Sequence, residues 1–203
     1  MIHSPRWCLT TTPHSGTRYI RDAFINAGYV AGHQRRTKYH IDGKTDLLWG
    51  HCDVGHGGWM ETVAVAWPLV QHLLVLRDPI HNLCTHFGEV ENEPHAMRHI
   101  KNSLDLYRRI QETYIEQMTP YFHCVEDPLD HLSCWAGIEL KPHGERHSRP
   151  NALRQAIDDH DLDRALSIMP YGGLLDWFIN EHSANIAPLY RDKLGYDFWW
   201  QNG

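Results

Sequence analysis

Two short segments of this 203-residue chain carry residue types suited to holding an anion. The first, Thr12-Pro13-His14-Ser15-Gly16-Thr17, lies between an apolar run ending at Thr11 and an amphipathic run beginning at Thr17. If the first run is a strand and the second a helix, the backbone N–H groups of residues 15–18 are unpaired donors. They sit at the positive end of a helix dipole. Gly16 lets the backbone come close to an anion. Ser15 and Thr17 add hydroxyl donors, and His14 and Arg18 add positive charge. The segment reads as an anion cradle; the plain alternative is a strand–helix turn capped by Ser or Thr. It is not a Walker loop, because no GxxxxGK[ST] pattern occurs.

The second segment is Arg77-Asp78-Pro79, with Thr85 eight residues after the arginine. An arginine leaving a buried strand can fork onto a phosphate, and a hydroxyl two turns later can close on the same group. The alternative is a surface Arg77–Asp78 pair followed by a proline turn, which contributes little to stability.

Both segments need a scaffold that brings them to one place. Four apolar runs read as strands: Trp7 to Thr11, Asp46 to Trp49, His72 to Leu76 and Tyr121 to Val125, with Tyr29-Val30 as a short edge. The third is nearly continuous, as expected of a strand buried on both faces. Helical patterns separate them. Thr17 to Ala27 carries Ile20, Phe24 and Ala27 on one face, with Gly28 at its C′ position. Gly58 to Trp67 and Glu93 to Met118 follow, the latter with Asn92 as N-cap and Pro94 in its first turn. Shorter helices are expected around 128–137, 151–159, 161–168, 173–182 and 184–194. Alternating strands and helices predict an α/β fold: three layers, a central parallel sheet of four to five strands, and a helical C-terminal part. Ligands of such sheets bind beyond the carboxyl ends of the strands, where both segments fall.

Bulk properties narrow the classes. The length suits a single domain over 1–203, and 42% hydrophobic with 22% charged residues is the composition of a folded protein. A net charge of −6 argues against nucleic-acid binding. No apolar run is long enough for a membrane span and Met1 to Thr12 does not read as a signal peptide, so a cytoplasmic protein is expected. Of five cysteines, Cys8, Cys84 and Cys124 lie in or beside apolar runs and are expected to be buried free thiols.

The two anion segments together resemble the PAPS-dependent sulfotransferases, enzymes that use 3′-phosphoadenosine 5′-phosphosulfate (PAPS). That family has a P-K/R-S-G-T loop after one strand, and a later strand ending R-[ND]-P with Ser or Thr eight residues after the arginine. Pro13-His14-Ser15-Gly16-Thr17, Arg77-Asp78-Pro79 and Thr85 are similar in order and spacing. Val125-Glu126-Asp127-Pro128, continuing to Leu140, looks like the family's YEDL stretch. Ile186 to Tyr196 looks like its C-terminal helix ending LGY. The chain is more like the compact bacterial and carbohydrate-type members. His14 stands where the family usually has Lys or Arg, and the glycine-rich C-terminal segment of the cytosolic enzymes is not recognisable.

The resemblance implies a P-loop-like fold, PAPS as co-substrate, PAP as product and no required metal. It implies that residues 13–18 hold the 5′-phosphosulfate, with His14 stabilising the leaving phosphate, and that Arg77 and Thr85 hold the 3′-phosphate. The acceptor is a small-molecule, carbohydrate or peptide hydroxyl, and it needs a base. His51, after the second strand, is the first candidate, followed by His56 and Glu61; a histidine near neutrality suits general-base work.

Three rival readings remain. Seventeen histidines suggest a metal protein built on His51-Cys52-Asp53 with His56, or on His95 and His99, although no CxxC or HExxH completes a site. His14 also fits a non-catalytic nucleotide-binding module of the same fold. A P-loop kinase lacks its Walker lysine here. Among eight tryptophans, Trp7, Trp67 and Trp135 are expected in the core and Trp199 and Trp200 as packing anchors. Arg35-Arg36 and Lys38 read as a solvated loop.

Overall fold

The computed structural model describes residues 4–11, 16–33, 44–51, 68–82, 93–109, 120–125, 127–142, 152–169, 172–195 and 197. In chain order the elements are β1 (Trp7–Thr11), α1 (Thr17–Asn26), β2 (Ala31–His33), β3 (Leu47–His51), β4 (Gln71–Leu76), α2 (Glu93–Arg109), β5 (Tyr121–Cys124), α3 (Leu129–Ala136), α4 (Ala152–Asp158), α5 (Leu162–Ile168) and α6 (Gly172–Leu194). They fall into two compact units, Met1–Arg77 with Glu112–His147, and Asp78–Gln111 with Ser148–Gly203.

The first unit holds a five-stranded sheet, ordered β2-β3-β1-β4-β5, in which every pairing is parallel. The expected α/β class with a central parallel sheet is therefore what the chain adopts. All five residues of β1 are buried, as expected of a central strand covered on both faces; Trp7, Cys8 and Leu9 are apolar, and Thr10 and Thr11 are buried with their hydroxyls. Alternation along the strands divides the core. Trp7, Leu9, Leu47, Leu73 and Val75 meet Ile20, Ala23 and Phe24 of α1 and Leu129, Leu132 and Ala136 of α3. Cys8 and Leu48 belong to a separate cluster with Val70. Trp7 anchors the first set, edge-on to Phe24 at 5.2 Å and to Tyr29 at 4.9 Å between ring centroids. Rings of this size each contribute several kcal/mol on truncation, about 3–5 for Trp or Phe to Ala.

α1 stops where the sequence indicates. Gly28 has φ +92°, its N–H donates to the Ile25 carbonyl at 2.9 Å and the Tyr29 N–H to that of Phe24 at 3.1 Å. That pair of bonds is a Schellman motif with Gly28 at C′. It also moves the expected edge strand. Tyr29 is used in closing α1, and Val30 exchanges hydrogen bonds with Asp46, so β2 begins at Ala31 rather than Tyr29. Asp46 itself precedes β3, which pairs with β1 from Trp7↔Leu47 to Thr11↔His51. The strand expected over Asp46 to Trp49 thus runs two residues further, and His51 is its last residue. β4 starts one residue early, at Gln71, and β5 ends at Cys124, although the Val125 N–H still donates to the Leu76 carbonyl at 2.9 Å.

In the second unit α6 packs on α2 and α5, and α4 on α5. Asp161 caps α5 by accepting from the Arg164 N–H at 3.0 Å. Separate helices over 173–182 and 184–194 are replaced by the single 23-residue α6. Nothing at Ser183 forces a stop, and Pro188, which removes one N–H donor, is carried inside the helix. Burial of Ile186, Ala187 and Tyr190 around it offsets that loss. The expected helix Gly58 to Trp67, residues 110–118 of the expected long helix, and Cys84, Trp67, Trp199 and Trp200 lie outside the described residues.

Cys8 and Cys124 are buried free thiols, while Cys134 is free and exposed. Burial pushes the Cys8 thiol up to about 12, with a smaller opposing effect from the Thr10 hydroxyl. Trp7 is fully buried, and Trp135 is partly buried, stacked on Tyr121 at 5.0 Å. Among the described residues, no helix is long and apolar enough to cross a membrane.

Candidate functional site

Strand order reverses around β1: the chain proceeds to β2 and β3 on one side of it, then to β4 and β5 on the other. At such a switch point the loops beyond the strand ends diverge and leave a crevice. Three elements deliver candidate residues there. β1 ends at Thr11 and leads towards α1, β3 ends at His51, and β4 leads into Arg77. Thr11 is the register partner of both His51 and Val75, so the β1 end is flanked by His51 on one strand and by the approach to Arg77 on the other. Neighbouring strands lie about 4.8 Å apart, which sets the width of this row.

α1 opens on a glycine in a left-handed conformation. Gly16 is its N-cap residue, in the left-handed region at φ +76° and ψ 19°, and among the described residues no side chain caps the helix. First-turn N–H groups have no acceptor within the helix itself, and water, a side chain or an anion can supply one. Glycine is required here for two reasons. Its φ is one that L residues adopt only at a cost, and a Cβ would collide with the Val125 side chain. Val125, just beyond β5, therefore packs directly against Gly16. Thr17 is 4% exposed, and its Oγ1 lies 2.5 Å from the Thr11 Oγ1. Arg18 is exposed on the first turn of α1. Pro13, His14 and Ser15 lie outside the described residues.

Arg77 is half-buried, directly after β4. The next residue does not behave as a surface ion-pair partner. Asp78 is fully buried, and its Oδ1 accepts from the Ile80 N–H at 2.8 Å and the His81 N–H at 3.3 Å. It caps a helical turn over 79–82, with Pro79 in the first position where a missing N–H is harmless. The Asn82 N–H closes that turn on the Asp78 carbonyl at 2.9 Å. Thr85, His56 and Glu61 lie outside the described residues, and of His51 only the backbone position is described.

Near His51 on β3, Trp49 meets the His33 ring edge-on at 4.3 Å, with the Arg21 guanidinium 5.2 Å from its centroid. Arg21 is also paired with Asp22 at 2.5 Å. A cleft of about 360 Å³ lined by Asn26, Ala27, Tyr29, Ile138, Glu139 and Lys141 lies at the other end of α1 and contains none of the candidate residues. Among the described residues, no three His, Cys, Asp or Glu side chains gather to hold a metal ion. His51, Cys52, Asp53 and His56 are, apart from the His51 backbone, outside that set.

The described candidates Gly16, Thr17, Arg18, His51 and Arg77 thus share one edge of the sheet. Sequence reasoning missed three contributors. Asp78 was legible as a cap, since Asp before Pro at the start of a helix is a known signature. Thr11 and Val125 were not: the Thr11 contact with Thr17, six residues on, depends on how α1 lies against β1, and that of Val125 with Gly16 joins elements far apart in the chain.

No family model matches the chain, and no curated protein matches it in sequence. Among solved structures it is similar to mouse sulfotransferase SULT7A1, whose structure is a complex with PAP; identity is 10% and the TM-score 0.46, over 81% of this chain and 65% of that one.

Proposed function

We propose that the chain is a sulfotransferase, with residues 1–203 acting as one catalytic domain that moves a sulfuryl group from PAPS to an acceptor hydroxyl. The observation that carries this reading is that a glycine-opened helix start follows β1 and Arg77 directly follows the neighbouring strand β4, at the same carboxyl edge of the sheet. It is supported by the order and spacing of Pro13-His14-Ser15-Gly16-Thr17, Arg77-Asp78-Pro79 and Thr85. The first-turn N–H groups with Ser15, Thr17 and Arg18 hold the 5′-phosphosulfate. Arg77 and Thr85 hold the 3′-phosphate and select PAPS over nucleotides that lack it.

The acceptor oxygen attacks sulfur in line with the leaving phosphate oxygen. One S–O bond forms as the other breaks, and PAP departs with the bonding pair. His51 takes the acceptor proton and His14 stabilises charge on the leaving phosphate. No step needs a metal.

Transfer of radiolabelled sulfuryl from PAPS to a panel of sugar, phenol and tyrosine-peptide hydroxyls tests this. Transfer that falls about 100-fold or more in His51→Ala, with PAP affinity unchanged, supports the mechanism. PAP binding with no transfer to any acceptor would instead favour a non-catalytic nucleotide-binding module, the reading that His14 in place of Lys or Arg suggests.

A further inference from the structure

Thr11 is a fully buried hydroxyl that the proposed chemistry does not use. It ends the central strand, where pairing with His51 on one side and Val75 on the other holds its backbone. Its Oγ1 is 2.5 Å from that of Thr17, which occupies the first helical position after Gly16. A threonine hydroxyl has one proton to give and can accept two. If Thr17 donates to Thr11, Thr17 has no proton left for a ligand. If Thr11 donates to Thr17, the Thr17 proton is directed elsewhere. An anion at the start of α1 favours the second arrangement, because a hydrogen bond to a charged oxygen is about twice as strong as one between neutral groups. Each bond in the resulting chain then polarises the next.

We propose that Thr11 is a positioning residue: its hydroxyl donates to Thr17 and so fixes Thr17 as a donor to the 5′-phosphate oxygens of the nucleotide. Thr11 does not touch the ligand. The inference rests on the sulfotransferase reading and adds to it a residue outside the P-x-S-G-T segment.

A double-mutant cycle on calorimetric PAP affinity tests it. Thr11→Val removes the hydroxyl and keeps the shape, and weakens PAP binding by about two- to tenfold, the range of one hydrogen bond. Thr11→Ser restores affinity to near the wild-type value. In a Thr17→Val background, Thr11→Val adds no further loss, because its effect passes through the Thr17 hydroxyl. A residue that merely packs would show the same loss in both backgrounds and no rescue by Ser. Should Thr11→Val not fold, Thr11→Ala reads the same loss with less bulk. Wild-type affinity in Thr11→Val, or an undiminished loss in the Thr17→Val background, overturns the role of Thr11 and leaves the sulfotransferase reading standing. A folded wild type that does not bind PAP overturns both.

Discussion

The Val125 side chain occupies the space that a Cβ on Gly16 would need. One residue sits beyond the end of β5 and the other opens α1, so the start of α1 is confined partly by a residue following a strand two places away from β1 in the sheet. Gly16→Ala therefore meets two separate obstacles, a left-handed φ of +76° and a contact with a buried valine.

We expect Gly16→Ala to lower stability by about 1–3 kcal/mol, the usual range for a non-glycine residue held in a sparsely populated conformation. Pairing it with Val125→Ala relieves the contact and leaves the φ strain, so the double variant recovers part of what Gly16→Ala loses. Urea unfolding of the four proteins measures both parts. A Gly16→Ala variant as stable as wild type would contradict the geometry at the start of α1.

Asp78 is predicted to act as a cap. Asp78→Ala leaves the Ile80 and His81 N–H groups without that acceptor and lowers stability by about 1–2 kcal/mol. Asp78→Asn retains most of it, since asparagine caps nearly as well. Equal denaturation midpoints for wild type and Asp78→Ala would contradict the capping role of Asp78.

His72 gives the fold a pH dependence of known sign. Burial lowers its pKa below the ordinary 6.5, and among the described residues its buried Nδ1 has no hydrogen-bond partner. Above 6.5 both folded and unfolded states hold it neutral. As pH falls through 6.5 the unfolded chain takes up the proton more readily, so stability is lost. Wild type should therefore lose more of its urea midpoint than His72→Gln on going from about pH 7.5 to about pH 5.5. Parallel losses in the two proteins would refute this.

Much of the scaffold was legible in the chain because it depends on local pattern. Trp7 to Thr11, three apolar residues followed by two β-branched threonines, forms β1 with those bounds. Gly28 ends α1 through the bonds its position suggested. Where the sequence misled, a longer-range interaction decided. β3 extends to His51 because the five-residue β1 offers a partner for each residue up to that point. α6 runs through Ser183 and tolerates Pro188 because the residues around the proline are buried.

The candidate site was legible as residue types at the ends of expected strands, and the sheet places those ends side by side. The contacts that shape it were not legible. Thr11 with Thr17 and Gly16 with Val125 depend on where α1 and β5 lie against β1, which no spacing along the chain encodes.

We expect Arg77 and the start of α1 to hold the two ends of a nucleotide bearing a 3′-phosphate. Calorimetric titration of PAP into wild type and Arg77→Ala, with AMP as the control lacking that phosphate, tests it most directly. The expected result is binding on the order of micromolar, weakened about tenfold or more both by Arg77→Ala and by loss of the 3′-phosphate. Folded wild-type protein that binds neither nucleotide, or binds AMP as tightly as PAP, would contradict it.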